Sequence, residues 1–512
     1  MTRGWMGAVL ATFALAGACS KGMGAASTGS PTGGGSTAGT SSSAGTGHGG
    51  SSASSSSTGG GAGGGGGAGG GGPAFPIKAS ADGRTLIDQH GEPFLLVADA
   101  PQCLTAKLSP ADMEVYFSTR GQQGFNAAWV NALCDAYTGG NGDGTTFDGI
   151  APFTGMLSGS QVYDLGTPNP AFFARVDAAV ASAAQHGIVV FLDPAETGGW
   201  LATLKANGVA AARSYGRFIG KRYAGADNLA WLHGNDFQTW RTMGDDLVVQ
   251  AVALGIRDED TRHLHTIELD YNVSSSLDDA ADWASPSAPI LGINATYTYY
   301  PTYAQLYKDY NRPSFLPNVL IEGNYEGEAL AGASHTTNAH DCRTEFYWSI
   351  LGGATGFFYG NHFIWPFDPA WKTHLTDPGA AQATYVRALF GPRAWPRLVP
   401  DQKNTVVTSG LGNFDTSNTS NAQDNTYATT ARTPDGTLVM TYMPTARAIG
   451  VDMSQLSGPA YAQWYDPSAG TYSALAGSPL ANTGAKTFTP PTAKHADGFD
   501  DWVLVLETNP PP

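Results

Sequence analysis

Two short stretches hold the side chains with the most chemical consequence. Residues 229–237 read LAWLHGNDF, an apolar, strand-like run that ends in Gly234-Asn235-Asp236. Residues 318–326 read NVLIEGNYE, with Glu322 set inside an apolar run. Asn and Asp end strands in ordinary turns, so Asp236 also fits a turn or a helix cap. An unpartnered carboxylate in an apolar run is expensive, which makes a purely structural Glu322 harder to explain. Brought together, two such carboxyls could flank a glycosidic bond. One, kept protonated, would give a proton to the leaving oxygen. The other, ionised, would attack the anomeric carbon or activate water.

For these residues to meet, the chain must place the ends of two strands across one opening. From Pro76 onward apolar strand-like runs alternate with helical patterns. The runs are PFLLVADA, GFNAAWVNALCD, IVVFLDPAE, NLAWLHGND, HLHTIELD, PILGINATYTY, NVLIEGNYE and ATGFFYGNHFIW. Between the second and third, Phe172, Phe173, Val176, Ala179, Val180 and Ala183 fall on one helical face, and Gly187 follows as a stop. A second helical face carries Tyr215, Phe218, Ile219 and Tyr223. Eight strand–helix repeats over about 320 residues are what a (β/α)8 barrel requires. A doubly wound open sheet is the alternative, but no Gly-rich phosphate loop follows the first strand. On a barrel, chemistry sits where strands end. The strand ends here carry Asp99, Asp193, Asp236, Asp270 and Glu322. Strands four and seven lie across the mouth, so Asp236 and Glu322 can converge on one ligand. Asp99 also fits a helix cap, Asp193 a turn, Glu326 an ion-paired scaffold, Trp365 a core position and His233 a buried structural role.

After about Pro400 the pattern turns to short alternating runs separated by turns such as Pro434-Asp435-Gly436, with no helical period, and this reads as a small β-sandwich. The N-terminus has the form of a processed leader: Arg3, an apolar run too short for a comfortable membrane span, then Ala16-Gly17-Ala18-Cys19. That ending resembles a bacterial lipobox, which implies lipidation at Cys19 and a place in the cell envelope, outer membrane or cell surface. Ordinary secretory cleavage is the alternative. The Gly/Ser/Thr/Ala-rich segment behind it cannot bury apolar surface and reads as a flexible tether. The expected segments are 1–19 leader, 20–74 tether, 75–400 barrel and 401–512 sandwich.

The chain carries 27 basic against 43 acidic residues, a net charge of −16. That balance argues against nucleic acid and against electrostatic docking on anionic lipid, so the only membrane contact expected is through the lipid anchor. No CxxC or close His/Cys spacing suggests a metal site, and no cofactor is expected. Cys103, Cys134 and Cys342 remain after Cys19, so at most one internal pair can form; Cys103 and Cys134 follow neighbouring strands. The residues do not specify an oligomeric state.

The barrel resembles the apiosidase-like glycoside hydrolases. The resemblance rests on LIDQHGEPFLLVADA, SYGRFIGKRYAGADNLAWLHGND, VLIEGNYE, FYWSILGGATGFFYGNHFIW and RALFGPRAWPRLVPDQ taken together. The C-terminal part is similar to a domain named for collagen binding. The resemblance implies a carbohydrate substrate, Asp236 as acid/base and Glu322 as nucleophile. It also implies retention, with the two carboxyls about 5–5.5 Å apart. The family's strand-four motif ends Gly-Gly-Asp, whereas this chain has Gly234-Asn235-Asp236. Its strand-seven motif resembles Gly-Glu-Pro-x-Tyr-Glu; here Ile321-Glu322-Gly323-Asn324-Tyr325-Glu326 keeps the Glu-x-x-Tyr-Glu spacing without the first Gly and the Pro. Tyr297 is the expected hydroxyl partner of Glu322, and Asp236 is expected to have a raised pKa. Asp99, Asn131, Asn235, Glu326, His362 and Trp365 are candidate substrate contacts. A non-catalytic surface glycan-binding lipoprotein is the alternative function.

Overall fold

The computed structural model describes residues 73–511 apart from 272, 281–282, 284–288, 330–332 and 492–493. Cys19, the leader and nearly all of the tether lie outside the described residues.

Eight parallel strands form the barrel: β1 (Leu96–Asp99), β2 (Ala127–Asn131), β3 (Val189–Asp193), β4 (Leu229–His233), β5 (His265–Ile267), β6 (Asn294–Thr298), β7 (Asn318–Glu322) and β8 (Gly356–Tyr359). Every residue in them is buried. That burial on both faces is why they read as continuous apolar runs rather than alternating ones. Pairing runs β5-β4-β3-β2-β1-β8-β7-β6. At the seam the His265 carbonyl accepts from the Gly292 and Ile293 amides at 2.9 and 3.1 Å. A short antiparallel strand, Val273–Ser275, covers the free edge of β6. The fifth strand is shorter than its apolar run because the chain leaves the sheet at Glu268.

Alternate residues fill the barrel interior: Ala127 and Trp129, Val189 and Phe191, Ala230 and Leu232, Ala295 and Tyr297, Val319 and Ile321. The helix Pro170–Gln185 buries the six apolar residues expected of it, and the Asn169 side chain caps its start. The predicted second face belongs to a longer element, Thr197–Tyr223, broken at Gly208, whose φ of +80° no helix interior accepts.

The C-terminal part is all antiparallel. Six strands order as Val399–Pro400, Thr429–Arg432, Leu438–Met443, Trp502–Glu507, Tyr461–Asp466 and Thr471–Ala474, and a second sheet joins Val407–Ser409, Ile449–Asp452 and Ala485–Phe488. Val407, Val439, Val451, Ala462, Phe488 and Leu504 share the core between the two sheets.

The helix Ala339–Leu351 joins sandwich to barrel and is buried along almost its whole length. Its Tyr347 stacks on Tyr442 at 4.7 Å between ring centroids. Its fully buried Arg343 forms a two-pronged bond to Asp501, at 2.8 and 2.6 Å, and a third bond to Asp497. The Cys103 and Cys134 sulfurs lie 3.3 Å apart as buried thiols, and Cys342 is also buried and free.

Breaking a buried ion pair by removing one partner leaves the other charge without compensation. Arg343→Ala is therefore expected to lower stability by about 3–5 kcal/mol in urea unfolding. A loss below about 1 kcal/mol would show that the barrel–sandwich joint does not depend on this pair.

Candidate active site

Inward positions alternate along β7 as Val319 and Ile321, while Leu320 packs outward. Continued regularly, that alternation would send Glu322 away from the barrel axis. It does not, because the pairing of β7 with β6 slips between Leu320 and Glu322: Leu320 faces Thr296, and Glu322 faces the very next residue, Tyr297. This β-bulge re-aims Glu322 into the mouth.

The end of β4 uses a different device. Gly234, Asn235 and Asp236 have φ of +107°, +66° and +54°, three left-handed residues in succession. A Cβ on Gly234 would lie 2.0 Å from the Glu268 carbonyl oxygen, so only glycine fits there. Asn tolerates the left-handed region better than most residues, which is why Asn235 can stand where a second glycine would be natural. Two residues hold the turn. Thr197 donates its hydroxyl to the Gly234 and Asn235 carbonyls at 2.7 and 3.1 Å. The Glu268 carboxyl accepts the Asp236 amide at 2.9 Å.

Asp236 and Glu322 face a cavity of about 260 Å³, with Gln102, Tyr137, Thr138, Asn235, Tyr299, Tyr325, Glu328 and Trp365 as the other walls. Phenols supply most of the hydrogen bonds. Tyr299 donates to Glu322 Oε1 at 2.8 Å and Tyr325 to Oε2 at 2.7 Å. Tyr137 donates to Asp236 Oδ2 at 2.6 Å. The Tyr297 hydroxyl bonds to that of Tyr299 at 2.7 Å and helps lower the pKa of both carboxyls. Burial and the neighbouring carboxylates push all four phenols upward, so they stay protonated as donors.

Burial, and next the charge of Asp236, pushes Glu322 up to about 8. Burial raises Asp236 as well. Two like charges this close cannot both form easily, so the pair retains one proton near neutrality. Each Glu322 oxygen accepts a phenol, whereas Asp236 Oδ1 has no hydrogen-bond partner. That inequality favours the charge on Glu322 and the proton on Asp236, so the proton lost near 8 is the one the pair shares.

Of the residues expected from sequence, Asn235, Asp236, Glu322 and Trp365 line the cavity. Tyr297 sits behind Tyr299, which makes the direct bond to Glu322. Asn131 lies beneath, donating to Asn235 Oδ1 at 2.9 Å and to Glu196 at 3.1 Å, so the Asn235 amide nitrogen is left for a ligand. Asn131 is thus a support and not a contact, and three further candidate contacts are corrected. Asp99 is buried against Arg120 at 2.5 Å and Tyr116 at 2.6 Å, committed to the barrel wall. Glu326 is taken by Tyr359 at 2.6 Å and the Gly379 amide at 3.1 Å. His362 is exposed, and the cavity wall at β8 is formed by Trp365 instead.

Sequence reasoning missed Gln102, Tyr137, Thr138, Glu268, Tyr299, Tyr325 and Glu328. Tyr299 had a signal, since it follows Tyr297 at the strand period of two. Tyr325 lies three residues after Glu322. Glu268 had none. It is 1% exposed, its Oε1 has no partner, and burial, then Glu322, then Asp236 hold it well above the usual carboxylate range.

A family model described as "Apiosidase-like, catalytic domain" matches residues 80–397. One described as "Putative collagen-binding domain of a collagenase" matches residues 415–507. Among solved structures, one titled "Glycoside hydrolase" is 21% identical, covers 85% of this chain and 97% of its own, and superposes with a TM-score of 0.68. A glycoside hydrolase family 5 structure from Bacteroides vulgatus is also 21% identical, with 84% and 93% coverage and the same TM-score of 0.68. At that identity these structures establish the shared fold. No curated protein matches the chain.

The raised carboxyl has a stability consequence. Burial and the charge of Asp236 lift Glu322 from its ordinary 4.5 to about 8 in the folded protein, for a proton that the pair shares. Between those values the folded pair holds a proton that the unfolded chain has released, so stability falls as pH rises through the window. Glu322→Gln is thus expected to melt higher than the parent protein at pH 8 and to match it near pH 4. Equal melting temperatures at both pH values would mean that the carboxyl is not held up by its surroundings.

Proposed function

The chain belongs to the apiosidase-like family and is a glycoside hydrolase acting on carbohydrate, and from that premise we propose a retaining mechanism carried by Asp236 and Glu322. Asp236, holding the pair's proton, protonates the glycosidic oxygen as the bond breaks. Glu322, ionised, attacks the anomeric carbon and forms a glycosyl ester. Asp236, now a carboxylate, takes a proton from water, which hydrolyses the ester and restores both groups.

The observation that carries this assignment is the unequal hydrogen bonding of the pair. Glu322 accepts a phenol on each oxygen, while Asp236 keeps one oxygen open. Hydrogen bonds to the charged form favour it. Both carboxyls wall one cavity and the charge of Asp236 raises the pKa of Glu322, as the closely set pair of a retaining enzyme requires. Asn235, with its amide nitrogen turned free by Asn131, is the residue to hold a sugar hydroxyl, and Trp365 offers a ring face. The cavity is smaller than the roughly 300–1,000 Å³ of sites for drug-sized ligands, which favours one sugar unit at a chain end over an extended chain.

We also propose that Cys19 carries a lipid anchor, supported by the small residues Ala16-Gly17-Ala18 before it. The soluble part would then act at the cell envelope on the end of the Gly/Ser tether. Labelled palmitate should enter the wild-type protein and not Cys19→Ala; equal labelling of both would remove the anchor.

Asp236→Ala and Glu322→Ala are each expected to lower kcat by at least about 10²-fold, as for general acid–base and nucleophilic groups, with unchanged circular dichroism. The assay is a hydrolysis screen of aryl glycosides and of plant and bacterial polysaccharides. NMR of the first anomer released should show retained configuration. Full activity in either variant would end the assignment, and an inverted first product would assign Glu322 to water activation instead.

A further inference from the structure

The cavity walls contain no Lys, Arg or His among the described residues. They do contain three carboxyls, Asp236, Glu322 and Glu328, and Glu268 lies buried behind the Asp236 turn. The other two wall carboxyls, Asp236 and Glu322, each accept at least one phenol. Glu328 is different. Its backbone is pinned on both sides, the amide donating to the Tyr325 carbonyl at 3.0 Å and the carbonyl accepting from the Thr337 amide at 2.9 Å. Its carboxyl has no hydrogen-bond partner among the described residues. A carboxyl on a fixed backbone, walling the site and without a donor among the described residues, has its acceptor capacity free for a ligand.

Building on the glycosidase reading, we propose that Glu328 is a specificity-determining residue: it accepts hydrogen bonds from hydroxyls of the sugar unit in the cavity and, with the reacting pair, restricts that unit to uncharged sugars. Neighbouring hydroxyls on a sugar ring can both donate to one carboxylate, which has two acceptor oxygens. A uronic acid or sulfated sugar would instead bring an anion among like charges, with no cation in the wall to offset it. Burial and the charge of Asp236 push Glu328 up to about 7, so an anionic ligand would meet either its charge or the cost of protonating it.

The test compares aryl glycosides of neutral pentoses and hexoses with the matching hexuronides, using the full chain, Glu328→Gln and Glu328→Ala. Free neutral sugars and uronic acids are measured for binding alongside, by saturation-transfer NMR. Wild type is expected to prefer a neutral glycoside by at least about 100-fold in kcat/KM, within the range of discrimination that polar contacts achieve. Glu328→Ala should raise KM for the neutral substrate about tenfold with kcat changed much less, as when uniform binding is removed. Glu328→Gln should fall between them and narrow the neutral-to-uronide ratio. Hexuronides cleaved or bound as well as neutral sugars would overturn the proposal, as would Glu328 variants with unaltered KM and ratio. Absence of hydrolysis on every substrate would count against the glycosidase reading alone. In that event the NMR arm still decides this one: neutral sugars bound by wild type and lost in Glu328→Ala support it, and binding of uronic acids, or of no sugar at all, defeats it.

Discussion

Crowding carboxyls into a buried space whose described walls carry no cation is the constraint on which the rest of this barrel mouth depends. Asp236, Glu268 and Glu322 interact electrostatically, and each is held above its ordinary pKa. Solvating them with water would require an open cleft. Pairing them with Arg or Lys would lower their pKa and leave no acid to donate a proton. The structure uses phenols instead. Tyr137, Tyr297, Tyr299 and Tyr325 provide donors that carry no charge and that this electrostatic environment keeps protonated. They divide unequally between the two facing carboxyls, and that inequality separates an acid from an anion. The same solution, two titratable groups pushed apart by surroundings, recurs wherever one site needs both forms at one pH.

Neither carboxyl arrives by regular strand geometry. A bulge turns Glu322 inward, and three left-handed residues turn Asp236. Such irregularities persist only where neighbours over-determine them. Glu268 over-determines the second, since its carbonyl leaves no room for a Cβ at residue 234 and its carboxyl accepts the Asp236 amide. Beyond this mouth, the sandwich is fastened to the barrel through the Ala339–Leu351 helix and the buried Arg343–Asp501 pair.

The barrel was legible in the sequence because strands buried on both faces leave long apolar runs, and their order follows from alternation with helices. The facing carboxyls were legible because acids that terminate such runs stand out. The sharing of Glu322 among phenols was only partly legible: Tyr299, just past the end of β6, keeps the strand period from Tyr297, whereas Tyr325 comes from the loop after β7. Tyr137 comes from a long irregular segment after β2 that has no period to read. Asp99, Glu326 and His362 carried the same signal as Asp236, a polar residue near a strand end. Only packing separates them: Arg120 claims the first, Tyr359 and Gly379 the second, and solvent the third. A polar residue at a strand end marks the mouth of a barrel, and the identity of its neighbours decides whether it faces in.

The field that makes this site unstable is also suited to the reaction proposed for it. Glycosidic cleavage builds positive charge on the sugar ring as the bond to the leaving oxygen lengthens. A wall of carboxyls without a compensating cation is a poor place for a neutral ground state to gain energy and a good place for a developing cation to do so. Catalysis needs that difference, since only interactions stronger in the transition state than in the ground state accelerate the chemical step. Adding a Lys or Arg to the mouth would relieve the repulsion and stabilise the fold. It would also cancel the field where the charge appears. The raised pKa values, the phenol donors and the cation-free wall are on this account one arrangement: negative charge held in place by neutral donors, and left unsatisfied until the sugar supplies the positive charge.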